Sequence, residues 1–247
     1  MQNPRNKSTP DRHPIQPHSP PSAEILRLEH ISLRYDRTKE IFSDLNWSIP
    51  AGRLCFLTGP SGIGKTSLLR LISLDQSPNR GHIYLFGQDV TQAAHLQVHQ
   101  LQRQIGIVTQ DFKLIDDLNV FENIALPLRV TGASRDSYAS DVADLMNWVE
   151  LGSRMAAYPA TLSAGEKQRI AIARAIITRP KILLADEPTG NVDPEMAQRL
   201  LRLFVEMNRL GTSVIIATHN QALLKQYNAD VFAIRDGKIV QTREADA

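Results

Sequence analysis

A single cysteine, Cys55, is the whole thiol complement of the 247-residue sequence, so no disulfide can form within the chain. That fits a reducing compartment, and Cys55, set in an apolar run, reads most simply as a small buried core residue. No apolar stretch approaches the roughly 18 residues that a membrane-spanning helix needs. The N-terminus lacks the apolar core of a secretory signal. The expectation is a protein soluble by itself, whose membrane role, if any, comes through a partner. An excess of one charge is missing too: 28 Lys+Arg face 26 Asp+Glu, and Arg5, Lys7 and Arg12 against Asp11 place the surplus in the first 23 residues. Such a balance implies no basic face, and no nucleic-acid partner is expected. The sequence also shows no internal repeat.

What is present is organised around Gly59-Pro60-Ser61-Gly62-Ile63-Gly64-Lys65-Thr66-Ser67. This stretch follows the apolar run Leu54, Cys55, Phe56, Leu57 and precedes Leu68, Leu69, Leu71 and Ile72. Strand, glycine-rich loop and helix is the order a phosphate-binding loop requires. Gly59, Gly62 and Gly64 let successive backbone N–H groups turn inward around an anion. The helix that follows aims its free N–H groups and positive dipole end at the same phosphates. Lys65 adds a full charge near the β and γ positions, and Thr66 offers a hydroxyl to a bridging Mg²⁺. The expected ligand is a nucleoside triphosphate.

Along the chain, Pro4, Pro10, Pro14, Pro17, Pro20 and Pro21 stand among polar residues, a composition that cannot bury enough apolar surface to order itself. A disordered arm is expected over 1–24. From Ile25 the alternation Ile25, Leu26, Leu28, Ile31, Leu33, Tyr35, then Ile41, Leu45, Trp47, Ile49 indicates strands, and His82 to Phe86 another, an antiparallel portion beside the nucleotide core. Residues 92–104 read as helix and Ile105 to Thr109 as a short strand. Helical spacing over Val120 to Val130 and Ser134 to Val149 marks a helical insertion. Ile182-Leu183-Leu184-Ala185 and Val214-Ile215-Ile216-Ala217 are unbroken apolar runs, as in strands buried on both faces of a parallel sheet. Asp236-Gly237 between Ile234 and Ile239 reads as a hairpin.

Asp186 and Glu187 end one of those buried runs, where open α/β sheets present ligand-binding groups. The first acid can hold Mg²⁺ and the second can polarise an attacking water. The pair by itself could equally end a strand or cap the next element; the phosphate loop upstream decides for the functional reading. A second anion site is suggested by Leu162-Ser163-Ala164-Gly165-Glu166-Lys167-Gln168-Arg169, directly before the helical run Ile170 to Ile176. Ser163 with Glu166 makes a capping box. The same helix N-terminus, with a serine hydroxyl and Gly165 allowing close approach, is equipped to grip a γ-phosphate. One phosphate loop and two phosphate grips invite a homodimer in which each grip completes the partner's site.

Taken together, the phosphate loop, Gln110, Leu162 to Gln168, the segment Leu183 to Asp193 and Ala217-Thr218-His219 resemble an ATP-binding cassette subunit, over about residues 25–242. The resemblance implies an α/β P-loop NTPase core with a parallel sheet, an antiparallel β subdomain and an α-helical subdomain at about 111–165, all within an ATP-binding domain spanning 25–247. More narrowly, Arg103-Gln104-Ile105-Gly106, Gln110-Asp111-Phe112, Asn123 to Leu128 and Thr131-Gly132-Ala133 resemble the FtsE family of cell-division ATPases, which pair with the membrane protein FtsX. Lipoprotein-release and macrolide-type exporter ATPases share similar wording.

The resemblance implies roles residue by residue. Tyr35 matches the aromatic on which adenine stacks, against the plainer reading of a half-buried strand tyrosine. Gln110 matches the glutamine that touches Mg²⁺ and the attacking water, and adjoins the insertion through which membrane partners act. Glu187 would orient the water. His219 matches the histidine that contacts the γ-phosphate, although a lone histidine there is more often structural. Asp193 matches the acid that crosses the dimer interface. Ala164 departs from the family by standing where a second glycine is usual, which puts a Cβ beside the phosphate, and Glu166-Lys167 replaces a commoner glutamine-rich wording. The implied activity is Mg-dependent hydrolysis of ATP at the cytoplasmic face of the inner membrane, with an FtsX-like partner and cell-wall hydrolases as the output. An exporter ATPase is the alternative. A DNA-repair or chromosome-structuring ATPase would need a long heptad run, which is absent between the phosphate loop and Ser163. Glu187 and His219 together speak against a non-hydrolysing scaffold.

Overall fold

The computed structural model describes residues 24–35, 40–220, 227 and 229–242. The Pro-rich arm expected over 1–24 lies outside them, apart from Glu24, which opens the first strand.

Two sheets form. In the first, β1 (Glu24–Arg34), β2 (Glu40–Pro50), β4 (Arg80–Leu85) and β5 (Gln88–Asp89) pair antiparallel in the order β2-β1-β4-β5. Polar and buried positions interleave along β2, as a sheet with one wet face demands. Tyr35 lies one residue beyond the end of β1 rather than on it.

The second sheet has the order β10-β9-β3-β8-β7-β6. Its strands are β3 (Leu54–Thr58), β6 (Ile105–Val108), β7 (Ile182–Asp186), β8 (Ser213–Ala217), β9 (Asp230–Arg235) and β10 (Lys238–Thr242). All neighbours run parallel except β9 and β10, the hairpin turned by Asp236-Gly237. Every residue of β3, β7 and β8 is buried. Their unbroken apolar runs follow from that, because both faces of the sheet are covered. Leu57, Ile215 and Leu184 face the first sheet and α1 (Lys65–Ile72), while Phe56, Ile216 and Leu183 face α6 (Pro194–Arg209).

A third apolar cluster draws on helices and their connecting loops and on no strand. It gathers Val120, Ile124 and Ala125 of α3 (Val120–Val130), Tyr138, Val142 and Met146 of α4 (Arg135–Trp148), and Ile170 and Ala173 of α5 (Ala164–Ile176). α2 (His95–Gln102) precedes β6 and is shorter than the 92–104 expected. The helix α3 holds Pro127 in its last turn and starts from a capping box of Asn119 and Glu122, which satisfies its first N–H groups. Fully buried Asn123 then fastens the preceding loop, accepting from Ile115 N (2.9 Å) and donating to the carbonyls of Ile115 (3.0 Å) and Leu118 (2.8 Å). A buried amide with its bonds met is the only kind such a core tolerates.

Candidate active site

β3 stops at Thr58 and α1 begins at Lys65, so the phosphate loop is the connection between a buried strand and a helix. Gly64, the N-cap of α1, sits at φ 114°, and a Cβ there would lie 2.7 Å from Ile41 Cγ2 and 2.9 Å from Phe42 Cζ. Only glycine meets both the conformation and the space. No side chain caps this helix and no acid occupies its first turn. Its leading N–H groups and positive dipole end are therefore offered to an anion. The buried Lys65 ammonium donates to the carbonyls of Gly59 (2.7 Å) and Pro60 (3.2 Å), which holds its charge against the loop.

Thr66 Oγ1 donates to Asp186 Oδ2 at 2.6 Å, joining α1 to the end of β7. Asp186 is 6% exposed, and this burial, helped by neighbouring Glu187, raises its pKa above the ordinary carboxylate value. Glu187 follows at φ 48°, a left-handed conformation that turns its carboxylate away from the strand direction. Three groups after β8 receive it: His219 Nδ1 at 2.7 Å and His219 N at 3.1 Å on Oε1, and Thr218 Oγ1 at 3.2 Å on Oε2.

Ser61, Gly62, Gly64, Lys65, Thr66, Ser67, Gln110, Asp186, Glu187 and His219 line one open cavity of about 410 Å³. Gln110 arrives there just past β6. Two carboxylates, a hydroxyl and an amide are hard oxygen donors of the kind Mg²⁺ takes, with phosphates and water completing its shell. Among the described residues no three His, Cys, Asp or Glu side chains converge as a metal cluster. The residues present fit a Mg²⁺–triphosphate.

Tyr35 is 56% exposed, and its hydroxyl bonds Ser67 Oγ (3.0 Å) and Gln76 Oε1 (2.9 Å), which places the ring beside the first turn of α1. Gly59, Pro60 and Ile63 complete the loop without lining the cavity. Ser163, Gly165, Glu166 and Asp193 do not line it either. Ser163 caps α5, its Oγ accepting from Glu166 N (3.2 Å) while its own N–H donates to Glu166 Oε2 (2.8 Å). That backbone bond holds the Glu166 carboxyl below its usual range. Asp193 caps α6 by accepting from Met196 N at 2.9 Å, which lowers its pKa in the same way. The chain thus presents two separate constellations, one around the phosphate loop and one at the start of α5.

Gln168 connects them and is not among the site residues expected from sequence. Only 2% exposed, it donates to the Glu187 carbonyl (3.2 Å) and accepts from Asn191 N (3.1 Å), so α5 holds the turn that carries Glu187. Its signal in the sequence is a polar residue on the buried face of an apolar helix.

Comparison with known proteins gives this geometry a family. Residues 42–190 match the model of the ABC transporter family. The chain is 39% identical over 215 residues to the cell division ATP-binding protein FtsE of Escherichia coli (strain K12), covering 87% of this chain and 97% of that protein. It is 33% identical to FtsE of Bacillus subtilis (88% and 95% covered) and 38% identical to the methionine import ATP-binding protein MetN of Photobacterium profundum (88% and 64% covered). A dimeric ATP-binding cassette, MJ0796, solved in a post-hydrolysis state with ADP and Pi, superposes with a TM-score of 0.83 at 27% identity over 89% of this chain and 98% of that one. The chain accordingly belongs to the ABC transporter family, as an ATP-hydrolysing nucleotide-binding subunit.

Proposed function

We propose that the protein is the ATPase of an FtsEX-type complex in cell division, working as a head-to-tail homodimer at the cytoplasmic face of the inner membrane and coupled there to an integral partner resembling FtsX. The observation that carries the dimeric mechanism is the separation of Lys65, Thr66, Gln110, Asp186, Glu187 and His219, on one cavity, from Ser163, Gly165 and Asp193 outside it. Each protomer then supplies one half of each of two sites. The cell-division assignment is supported by the identity to FtsE over nearly its whole length.

In this mechanism α1, Lys65 and the loop amides hold the β- and γ-phosphates, and Tyr35 carries the adenine on its exposed ring. Thr66, Asp186 and Gln110 would hold Mg²⁺, which neutralises charge between the phosphates. The Glu187 carboxylate orients water for in-line attack and takes its proton. His219, already within 2.7 Å of Glu187, steers the γ-phosphate from the same side. Ser163 and the amides at Gly165 and Glu166 of the neighbour meet the phosphate from across the interface, and their preorganised N–H groups absorb developing charge.

The output surface is a groove of about 880 Å³ between Ile107 and Leu126 to Thr131, edged by the exposed apolar side chains of Leu96 and Val130. No helix among the described residues is long and apolar enough to cross a membrane. A cytoplasmic helix of the partner seated in the groove would link closure of the dimer to the membrane. A transport output is the second reading, favoured by the near-equal identity to MetN.

Glu187→Gln should leave ATP binding intact and lower turnover by about 10²- to 10⁴-fold, the usual share of a general base. Lys65→Ala should weaken binding itself, measured by titration with a fluorescent ATP analogue. Undiminished hydrolysis in Glu187→Gln removes Glu187 from the role. Co-purification from membranes separates the outputs: an FtsX-like protein supports the division reading, and a permease with a substrate path replaces it with transport.

A further inference from the structure

Arg174 stands on α5 about 15 Å beyond its start, at 1.5 Å per residue. It is half-buried, and burial alone pushes its guanidinium pKa down, with no acid among the described residues to offset it. A desolvated charge without a counter-ion is a cost that an apolar side chain of similar size would avoid. What Arg174 does hold is backbone: Nη1 donates to the Lys113 carbonyl (2.8 Å) and Nη2 to the Phe112 carbonyl (2.7 Å).

Those two residues are themselves unusual. Phe112 and Lys113 are consecutive non-glycine residues in the left-handed region, at φ 58° and 45°. Such conformations are strained for residues with a Cβ, so the turn persists because its surroundings hold it. Upstream Phe112 N–H donates to the Thr109 carbonyl (3.1 Å), closing a turn that contains Gln110, and downstream Asn123 pins Ile115 and Leu118 to α3. Arg174 also lines the apolar groove, beside Leu126, Pro127 and Leu128. One side chain therefore touches the helix that begins at Ser163, the loop that carries Gln110, and the wall of the groove.

We propose that Arg174 is the positioning residue that couples the α5 phosphate grip to Gln110, holding the Phe112-Lys113 turn in its strained shape so that a shift of α5 or of the groove wall moves Gln110 relative to the Thr66–Asp186 pair. The inference rests on the roles proposed above for Gln110 and Ser163. It treats Arg174 as acting through Gln110, without contact to the nucleotide.

The test uses the full-length chain with Arg174→Lys, which keeps the charge but loses the two-carbonyl fork. Amide hydrogen exchange at residues 112–115 should accelerate about tenfold, with α5 amides unchanged, as expected for losing one charge-assisted hydrogen bond. The kcat for ATP should fall about tenfold while the KM and the affinity for ATP stay within about twofold. In a Gln110→Ala background the same change should add no further loss, since the two residues act in series. Unchanged exchange at 112–115, or a full tenfold loss repeated on top of Gln110→Ala, overturns the proposal. Should Gln110→Ala alone leave turnover intact, the reading of Gln110 fails and the exchange measurement still decides whether Arg174 holds the turn. Arg174→Met, which fills the same space without charge, gives the same readouts if the lysine variant does not fold.

Discussion

Asp186 is subject to two demands that oppose each other. Its place at the end of a fully buried strand removes it from water, and the Thr66 hydroxyl together with nearby Lys65 and Arg70 offsets only part of that, so its pKa stays above the ordinary carboxylate value of 3.8. The folded protein then keeps the Asp186 proton to a higher pH than the unfolded chain does. Stability from this group is complete below about pH 3.8 and is lost as the pH rises through the raised folded value, leaving the ionised carboxylate a burden at neutrality. Asp186→Asn should relieve it, because the amide oxygen can still accept from Thr66. The melting temperature at pH 7 should rise by about 2–4 °C for each kcal/mol recovered in a chain of this size, and the gain should shrink toward nothing as the pH falls to 4. Mg²⁺-dependent strengthening of ATP binding should disappear in the same variant, measured by titration with and without the metal. Cys55 illustrates the opposite case, a buried group outside the chemistry. Burial pushes its thiol up to about 12, where no reactive thiolate forms.

Gly106 decides how closely an element can approach its neighbour. The strand β6 lies against α5 there, and a Cβ on Gly106 would run into the Ala175 carbonyl oxygen and sit 2.9 Å from both Leu183 Cδ1 and Pro180 Cγ. The carbonyl belongs to backbone and cannot rotate aside, so Gly106→Ala must push α5 off the sheet and lose about 1–3 kcal/mol, the usual cost of overpacking. Chemical denaturation with an unchanged slope and a lower midpoint would register it. Elements of this kind are legible in the sequence wherever their cause is local. The runs of β7 and β8, the capping box at Ser163 and the strand-loop-helix order around Lys65 each write their structure into a few adjacent residues. The alternation that continues through Tyr35 puts it on a strand, yet β1 ends one residue earlier. The order β10-β9-β3-β8-β7-β6 is carried by crossovers between distant segments and has no adjacent-residue signature. Gln168 and Arg174 escape a sequence reading for a related reason. A polar side chain on a helix reads as solvated until the fold shows which backbone groups it reaches: Gln168 reaches the turn at Glu187 beyond the next strand, and Arg174 the loop at Phe112, 62 residues away.

At the scale of the whole molecule, the division of labour between Lys65 and Ser163 can be put to a test that neither residue alone provides. The solved relative MJ0796 is a dimer. A head-to-tail dimer of the present chain would set Lys65 of one protomer against Ser163 of the other. Consider one chain carrying Lys65→Ala and another carrying Ser163→Asp, a change that keeps a good helix cap but faces the phosphate with a negative charge. Each variant alone has both sites broken and should be inactive. In their mixed dimer one site collects both defects and the other collects none, because the intact Lys65 and the intact Ser163 meet across the interface. Random mixing of equal amounts leaves about a quarter of all sites whole, so phosphate release should return in the mixture and should be absent when both substitutions sit in one chain mixed with itself. A pocket complete within one protomer predicts otherwise: Ser163 lies outside that cavity, so Ser163→Asp would stay active alone and mixing it with Lys65→Ala would only dilute that activity. Recovery on mixing therefore separates a shared site from a private one by arithmetic alone, without needing to know the membrane partner or the rate of the intact assembly.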